Sequence, residues 1–310
     1  MSSPIHFHIL SPSGKIDAQY IDGATRRLKA WGYRVSEGIY VRTTFGRFAG
    51  TKEQRLSDMK DALQDPTIDY ILCARGGYGL QQLIDRIAPL TMNRPLPTII
   101  GFSDITCLHS LMALRGVLSL HGLMCKHLAE PESGEICLRY WQQAVEGQTI
   151  EYTIPSHTLN RQGQAEGILV GGNLSVLYGL QGTPYSLMEI LRRHKEQGLQ
   201  TLLFIEDVCE RHYHIDRMMQ NLRLSGVLEG ISGLVVGQFS ECDDDPLMQE
   251  TVYDTILSSV KDYDYPVLFD FPAGHVAYNI PFRLGVRTEL SVSSFQNAFD
   301  SSFRQSQLVR

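Results

Sequence analysis

Long hydrophobic runs are missing from this chain of 310 residues. No stretch approaches the ~18 uninterrupted apolar residues of a bilayer-spanning helix, so no membrane segment is expected. Dense basic stripes are missing too. Lys and Arg total 28 against 34 Asp and Glu, a net charge of -6. Without a cationic stripe, the counterion release that drives nucleic-acid and anionic-membrane binding has no source, and neither partner is expected. The six cysteines (Cys73, Cys107, Cys125, Cys137, Cys209 and Cys242) include no C-x-x-C pair. The first ten residues carry no basic start, long apolar core or small-residue cleavage site. Reduced thiols and a cytoplasmic location are the expectation. Tryptophan is scarce, with only Trp31 beside an early helical pattern and Trp141 in a later one. There is no internal repeat or low-complexity tract.

What is present is an ordinary globular composition, 43% hydrophobic and 20% charged, in a chain long enough for two cores. The first half alternates strand-like and helix-like segments. Strands are expected at 5–10, 33–35, 70–74 and 98–101, with helices at 18–31, 51–63, 80–87 and 105–115. That alternation predicts an N-terminal α/β domain with a parallel sheet, residues 1–150. The polar segment 151–165 reads as a crossover linker. Strand-like runs at 167–170, 201–205, 233–239, 266–270 and 290–292 predict a C-terminal β-rich α+β domain, 166–310. Its tail after residue 294 has little apolar period and is expected to be loosely held.

Two glycine-containing turns follow apolar strands. Gly101-Phe102-Ser103-Asp104 lies between a buried-strand pattern and an amphipathic helix, the layout of a nucleophile elbow. A serine there can attack a carbonyl, with the next backbone N–H, that of Asp104, beside the oxyanion. The second glycine of the G-x-S-x-G form is absent, with Ile105 in its place, and a plain helix cap at Ser103 or Asp104 is the bland alternative. Arg75-Gly76-Gly77-Tyr78-Gly79 lacks the third glycine of a dinucleotide fingerprint, and Asp85 comes too early for its acidic partner. It reads better as an anion nest in which the Gly77 N–H forms half of an oxyanion hole. Arg75 is a candidate for a substrate carboxylate or for a structural ion pair. Glu206 and Asp207 close an apolar strand and point to opposite faces, so one can serve chemistry and the other structure. His275, in the turn Pro272-Ala273-Gly274-His275, has an imidazole suited to proton transfer. His212 and His214 share a face if extended. With Glu210 or Asp216 and a third ligand from the acidic run 241–245 they invite a metal reading, but no spacing demands it and no metal is expected.

Taken together, these motifs resemble the L,D-carboxypeptidase family of serine peptidases, which includes muramoyl-tetrapeptide carboxypeptidases and microcin C immunity hydrolases. The likeness runs from Ser11 to Gly285. Its most specific part is Glu206-Asp207-Val208-Cys209-Glu210 with Tyr213-His214-Ile215-Asp216-Arg217-Met218. Arg75-Gly76-Gly77-Tyr78-Gly79, Gly101-Phe102-Ser103-Asp104 and Gly171-Gly172-Asn173-Leu174 are similar to the other landmarks, with Phe48-Ala49-Gly50-Thr51 and Arg55-Leu56 early in the chain. The resemblance implies a Ser103–His275–Glu206 triad, an oxyanion held by the N–H groups of Gly77 and Asp104, and substrate contacts from Arg75, Tyr78 and Asn173. It implies no cofactor or metal, a homodimer, and release of the terminal D-alanine from a murein tetrapeptide or muropeptide. Where the family signature has Pro and Arg, this chain has His212 and His214, which implies altered, pH-tuned substrate contacts there. Two rivals remain: the same triad acting on a peptidyl or aminoacyl nucleotide, with Tyr78 or Tyr185 as a stacking platform, and a non-catalytic module holding a small anion.

Overall fold

The computed structural model describes residues 4–92, 94–132, 134–293 and 300–308. The strands are β1 (His6–Leu10), β2 (Arg34–Glu37), β3 (Tyr70–Cys73), β4 (Thr98–Gly101), β5 (Ser119–His121), β6 (Ile150–Ile154), β7 (Gly163–Asn173), β8 (Thr201–Val208), β9 (Gly233–Ser240), β10 (Val267–Leu268), β11 (Phe282–Leu284), β12 (Arg287–Val292) and β13 (Ser301–Gln305). The helices are α1 (Ala18–Ala30), α2 (Lys52–Gln64), α3 (Ile84–Ile87), α4 (Thr106–Arg115), α5 (Cys125–Ala129), α6 (Glu135–Val145), α7 (Leu174–Gly179), α8 (Leu187–Glu196), α9 (His212–Leu224) and α10 (Val252–Ser259).

The first sheet has the order β11-β5-β4-β3-β1-β2, parallel except for β11 on β5. All four residues of β3 are buried, as expected of a central parallel strand covered on both faces. The second sheet, β10-β9-β8-β7-β12-β13-β6, is parallel from β10 to β7 and antiparallel from β7 to β6. The chain is therefore the mixed α/β protein that its alternating pattern predicts.

The two sheets share a core in which Trp141, Phe204, Phe271, Phe282 and Phe303 are all fully buried. Helix α4 is buried along almost its whole length, and its Thr106 hydroxyl accepts the N–H of Asn173 at the end of β7. Strand β11 carries a buried arginine, Arg283. Its guanidinium donates to the carbonyls of Ala144 and Gln148, while the Gln305 side chain brackets its backbone.

Several sequence expectations give way here. Residues 151–154, expected in a linker, belong to the edge strand β6, whose alternating burial packs Ile150, Tyr152 and Ile154 inward. Residues 301–305 are not loose: β13 inserts between β12 and β6 with Ser301, Phe303 and Gln305 buried, while 294–299, 309 and 310 lie outside the described residues. The segment expected as one helix at 80–87 is a 3-10 turn followed by the single turn α3. The segment around His212 is helical, not extended. β11 comes from the last third of the chain yet completes the first sheet, a pairing no local pattern announces.

Candidate active site

The crevice lies beyond the carboxyl ends of β1, β3, β4, β5 and β8, where α/β sheets commonly hold ligands. It is a cavity of about 590 Å³, and Ser103, Gly77, Arg75 and His275 are among its walls.

The elbow forms as its sequence predicts. β4 ends at Gly101, and Ser103 adopts φ 65 at the start of a 3-10 turn, Ser103–Ile105, that runs into α4. A non-glycine residue in the left-handed region is strained by roughly 1–3 kcal/mol and is kept only where its surroundings enforce it. Neither Ser103 nor Asp104 is a cap: the N-cap of the 3-10 turn is Phe102 and that of α4 is Ile105, both without a side-chain capping bond. Behind the strand, His109 Nε2 donates to the Gly101 carbonyl (3.0 Å) and its Nδ1 accepts from Ser119 (2.8 Å). Burial lowers this imidazole's pKa to about 4, so it stays neutral and keeps that bond pattern.

The Asp104 carboxylate is a brace. Its Oδ2 accepts from Ser13 Oγ (2.6 Å) and Leu80 N (2.9 Å), tying the elbow to the turns after β1 and β3. Burial raises the Asp104 pKa, against those bonds and the nearby Arg55. Arg55 is itself buried, donates to the carbonyls of Pro12 (2.8 Å) and Gly79 (3.1 Å), and lies over the Phe48 ring at 4.8 Å. Gly76 must be glycine because a Cβ would stand 2.8 Å from Ser103 Cβ. Gly77 adopts φ 102, and its N–H donates to no protein group among the described residues. Arg75 makes no ion pair among the described residues. It is exposed at the cavity wall and donates to the Lys15 carbonyl (2.9 Å).

Strand β8 supplies Glu206, and its pairing with β9 shifts register between Ile205 and Asp207. Such irregularities re-aim side chains beside active sites. Contrary to the solvated-charge alternative, Glu206 and Asp207 are both buried, at 0% and 1% exposure. Glu206 Oε2 lies 2.8 Å from His275 Nδ1. Asp207, directed away, accepts from Asn173 Nδ2 and Ser175 N, each at 2.8 Å. Burial and the neighbouring Glu206 charge push the Asp207 pKa up to about 7.

Burial alone would lower the His275 pKa. The hydrogen bond and charge of Glu206, with Asp207 and Glu241, outweigh it and raise this imidazole above its ordinary value. With Nδ1 facing a carboxylate, Nδ1 carries the proton, and the Nε2 lone pair is left to accept one. The loop is pinned by Ser240 Oγ on the His275 carbonyl (3.1 Å) and by Phe102, whose ring meets the imidazole edge-on at 5.0 Å. Among the described residues no hydrogen bond joins Ser103 to His275. Both line the same cavity.

Four residues expected to contact substrate lie outside this cavity. Tyr78 is half-exposed, packs against Phe48 and does not line the cavity. Asn173 is buried as the N-cap of α7 and holds Asp207. His212 and His214 lie on α9 away from the cavity. His212 accepts from Asp245 N (3.1 Å) and meets Thr255 Oγ1 at 2.7 Å, while His214 pairs with Glu210 at 3.0 Å. The expected pH-tuned contact is therefore absent from the cavity. Of the acidic run, Asp244 accepts the Val252 N–H at the start of α10. Among the described residues no three His, Cys, Asp or Glu side chains group as a metal site.

The cavity also gains residues that no motif flagged: Lys15 and Tyr20 after β1, and Lys126 and His127 after β5. Burial and the adjacent Lys126 lower the His127 pKa to about 4. The strand-end rule applied to β5 would have found Lys126 and His127, but three apolar-polar residues are too short a strand signal to invoke it.

Comparison with known proteins agrees with this architecture. Residues 7–122 match the LD-carboxypeptidase N-terminal domain and residues 166–290 the LD-carboxypeptidase C-terminal domain. A probable murein peptide carboxypeptidase of Bacillus subtilis is 30% identical over 295 residues, 92% of this chain and 88% of that protein. The chain thus belongs to the LD-carboxypeptidase family and is a peptidase by descent. A muramoyltetrapeptide carboxypeptidase from Oxalobacter formigenes superposes with a TM-score of 0.81 at 24% identity, over 98% of this chain and all of that one. MccF in complex with glutamyl sulfamoyl guanosine gives 0.81 at 19% identity, over 100% of this chain and 98% of that one. At these identities the two structures speak to the fold.

Proposed function

We propose that this chain is a serine-type L,D-carboxypeptidase that hydrolyses the terminal D-alanine from a murein tetrapeptide. The observation that carries the reading is the Glu206–His275 hydrogen bond, on a wall of the cavity that holds the strained Ser103. In this reading His275 Nε2 takes the Ser103 proton as Oγ attacks the scissile carbonyl. The N–H groups of Gly77 and Asp104 stabilise the oxyanion, and His275 returns the proton to the departing D-alanine amine. Water then cleaves the acyl-enzyme by the same route. Glu206 orients the imidazole and offsets its transient positive charge.

The cavity's cations suit an acidic peptide: Lys15, Arg75 and Lys126 line it against one carboxylate, Asp17. Murein peptides carry several carboxylates, and the Bacillus subtilis relative is a probable murein peptide carboxypeptidase. No cofactor or metal enters this chemistry, and a cytoplasmic homodimer is the proposed setting. Among the described residues no helix is long and apolar enough to cross a membrane. A second reading, cleavage of a peptidyl nucleotide, is favoured by one feature, the Tyr20 ring in the cavity wall. Neither tryptophan serves it: Trp141 is fully buried and Trp31 packs on it at 5.9 Å.

Mass spectrometry of L-Ala-γ-D-Glu-meso-diaminopimelate-D-Ala incubated with wild type and Ser103→Ala tests the proposal. Loss of one D-alanine by the wild type alone supports it. Cleavage only of a nucleotide-linked peptide would replace the substrate, and equal activity in both proteins would remove the nucleophile. Binding without turnover of either substrate would favour the anion-holding module.

A further inference from the structure

The wall behind the Glu206–His275 pair contains polar atoms that the proton-transfer scheme does not use. His121, Glu206 and Asn279 are each 0% exposed. Among the described residues, four of their side-chain atoms meet no partner at hydrogen-bond geometry: both ring nitrogens of His121, Oε1 of Glu206 and Nδ2 of Asn279. Buried polar atoms left unpaired cost about 1–3 kcal/mol each, so a cluster of four points to a shared partner.

Several contacts gather them. Phe102 packs against His275 at 5.0 Å and His121 at 5.6 Å, so both imidazoles flank one ring. His121 also meets Phe204 at 5.2 Å, and Phe204 lies two residues before Glu206 on the same face of β8. Asn279 Oδ1 accepts the Gly274 N–H (3.1 Å), and a Cβ on Gly274 would stand 3.1 Å from Glu206 Oε2. That bond fixes the amide orientation and leaves Nδ2 as the unused end. The Asn279 side chain also neighbours His121 and favours its protonation, against the effect of burial.

The donors and acceptors match. Burial keeps His121 neutral, so it offers one N–H and one lone pair. Asn279 Nδ2 offers donors, and Glu206 Oε1 offers only acceptors. A single buried water with three or four hydrogen bonds satisfies such a set. We propose that His121 and Asn279 are positioning residues that, through one internal water, hold the second oxygen of Glu206 and so keep its first oxygen aligned on His275 Nδ1. The inference rests on the serine-peptidase reading for its catalytic meaning, though not for its geometry.

The other groups that bear on His275 are Asp207 on β8 and Glu241 after β9. His109 on α4 bears on His121, and His127, beside Lys126 and Glu132, is a further neighbour of His275. None of them is altered by the test. The His275 imidazole is titrated by NMR in wild type, His121→Phe and His121→Gln. Phe keeps the ring that stacks on Phe282 at 4.8 Å, and Gln keeps a donor and an acceptor. Expected is a His275 midpoint lower by about one pH unit in His121→Phe, near wild type in His121→Gln. A His121→Phe midpoint equal to wild type overturns the inference. Should that variant fail to fold, a crystal structure of the wild type decides: a water within about 3.0 Å of Glu206 Oε1 that also reaches His121 or Asn279 supports the proposal, and its absence from that position overturns it. Peptide hydrolysis is assayed separately. A lowered midpoint in a protein that leaves murein peptide intact would sink the substrate reading alone. Hydrolysis with an unshifted midpoint would sink this inference alone.

Discussion

The elbow around Ser103 and the loop around His275 face one cavity but are built by opposite means. The elbow is a contiguous strand, turn and helix, and the strain at φ 65 is held by close glycine packing and by the Asp104 brace beneath it. The histidine loop has no regular structure of its own. It hangs from strand ends, fastened to Glu206, 69 residues earlier, and to Ser240, 35 residues earlier. In the proposed reading the nucleophile is thus shaped largely by its own segment, whereas the base, which must be both oriented and electrostatically tuned, is shaped by strands brought in from elsewhere. The register shift at Glu206 serves the second task, turning one carboxylate toward His275 while its neighbour holds Asn173 and Ser175.

Substitutions on each side sharpen that contrast. Ser103→Ala is expected to abolish hydrolysis by roughly 10⁵–10⁶-fold while the fold persists, read by single-turnover kinetics and thermal unfolding. Glu206→Gln keeps the shape but loses the charge facing Nδ1, and kcat is expected to fall by about 10⁴-fold. Gly76→Ala attacks the elbow by steric displacement alone. A Cβ 2.8 Å from Ser103 Cβ should shift the nucleophile enough to lower kcat/KM by about 10²-fold. The raised pKa of His275 sets a pH limb. In the proposed mechanism its neutral form is the base, and that form is lost as pH falls through a value above the ordinary 6.5. The kcat/KM profile should therefore drop on its acid side at a higher pH than an unperturbed imidazole would give. The smallest effect lies outside both regions: Thr51→Ala breaks the capping box of α2 with Gln54 and should cost about 1 kcal/mol in denaturant unfolding, with kcat unchanged.

Much of the elbow side is legible in the amino-acid sequence. Gly101 to Asp104 after an apolar run, and glycines at 76 and 77 after another, announce close backbone approach at strand ends. The brace beneath them is not legible. Ser13, Arg55, Leu80 and Asp104 are scattered along the chain, and only the adjacency of β1, β3 and β4 joins them. Tyr78 and Asn173 sit in motifs that suggest substrate contacts, but a motif fixes spacing along the chain and not the direction of each side chain. Lys15, Lys126 and His127 give no signal because each follows a strand end without a motif of its own.

By itself, the sequence determined the alternation of strands and helices, the elbow turn and the residue types able to move a proton, because these follow from local periodicity and backbone sterics. Tertiary structure alone decided that β11 closes the first sheet and that residues 150–154 and 301–305 are strands, and it places against His275 the Glu206 that the family resemblance, but no local pattern, had singled out from Asp207. Those outcomes depend on long-range pairing and register, in which a shift of one residue turns every side chain to the other face.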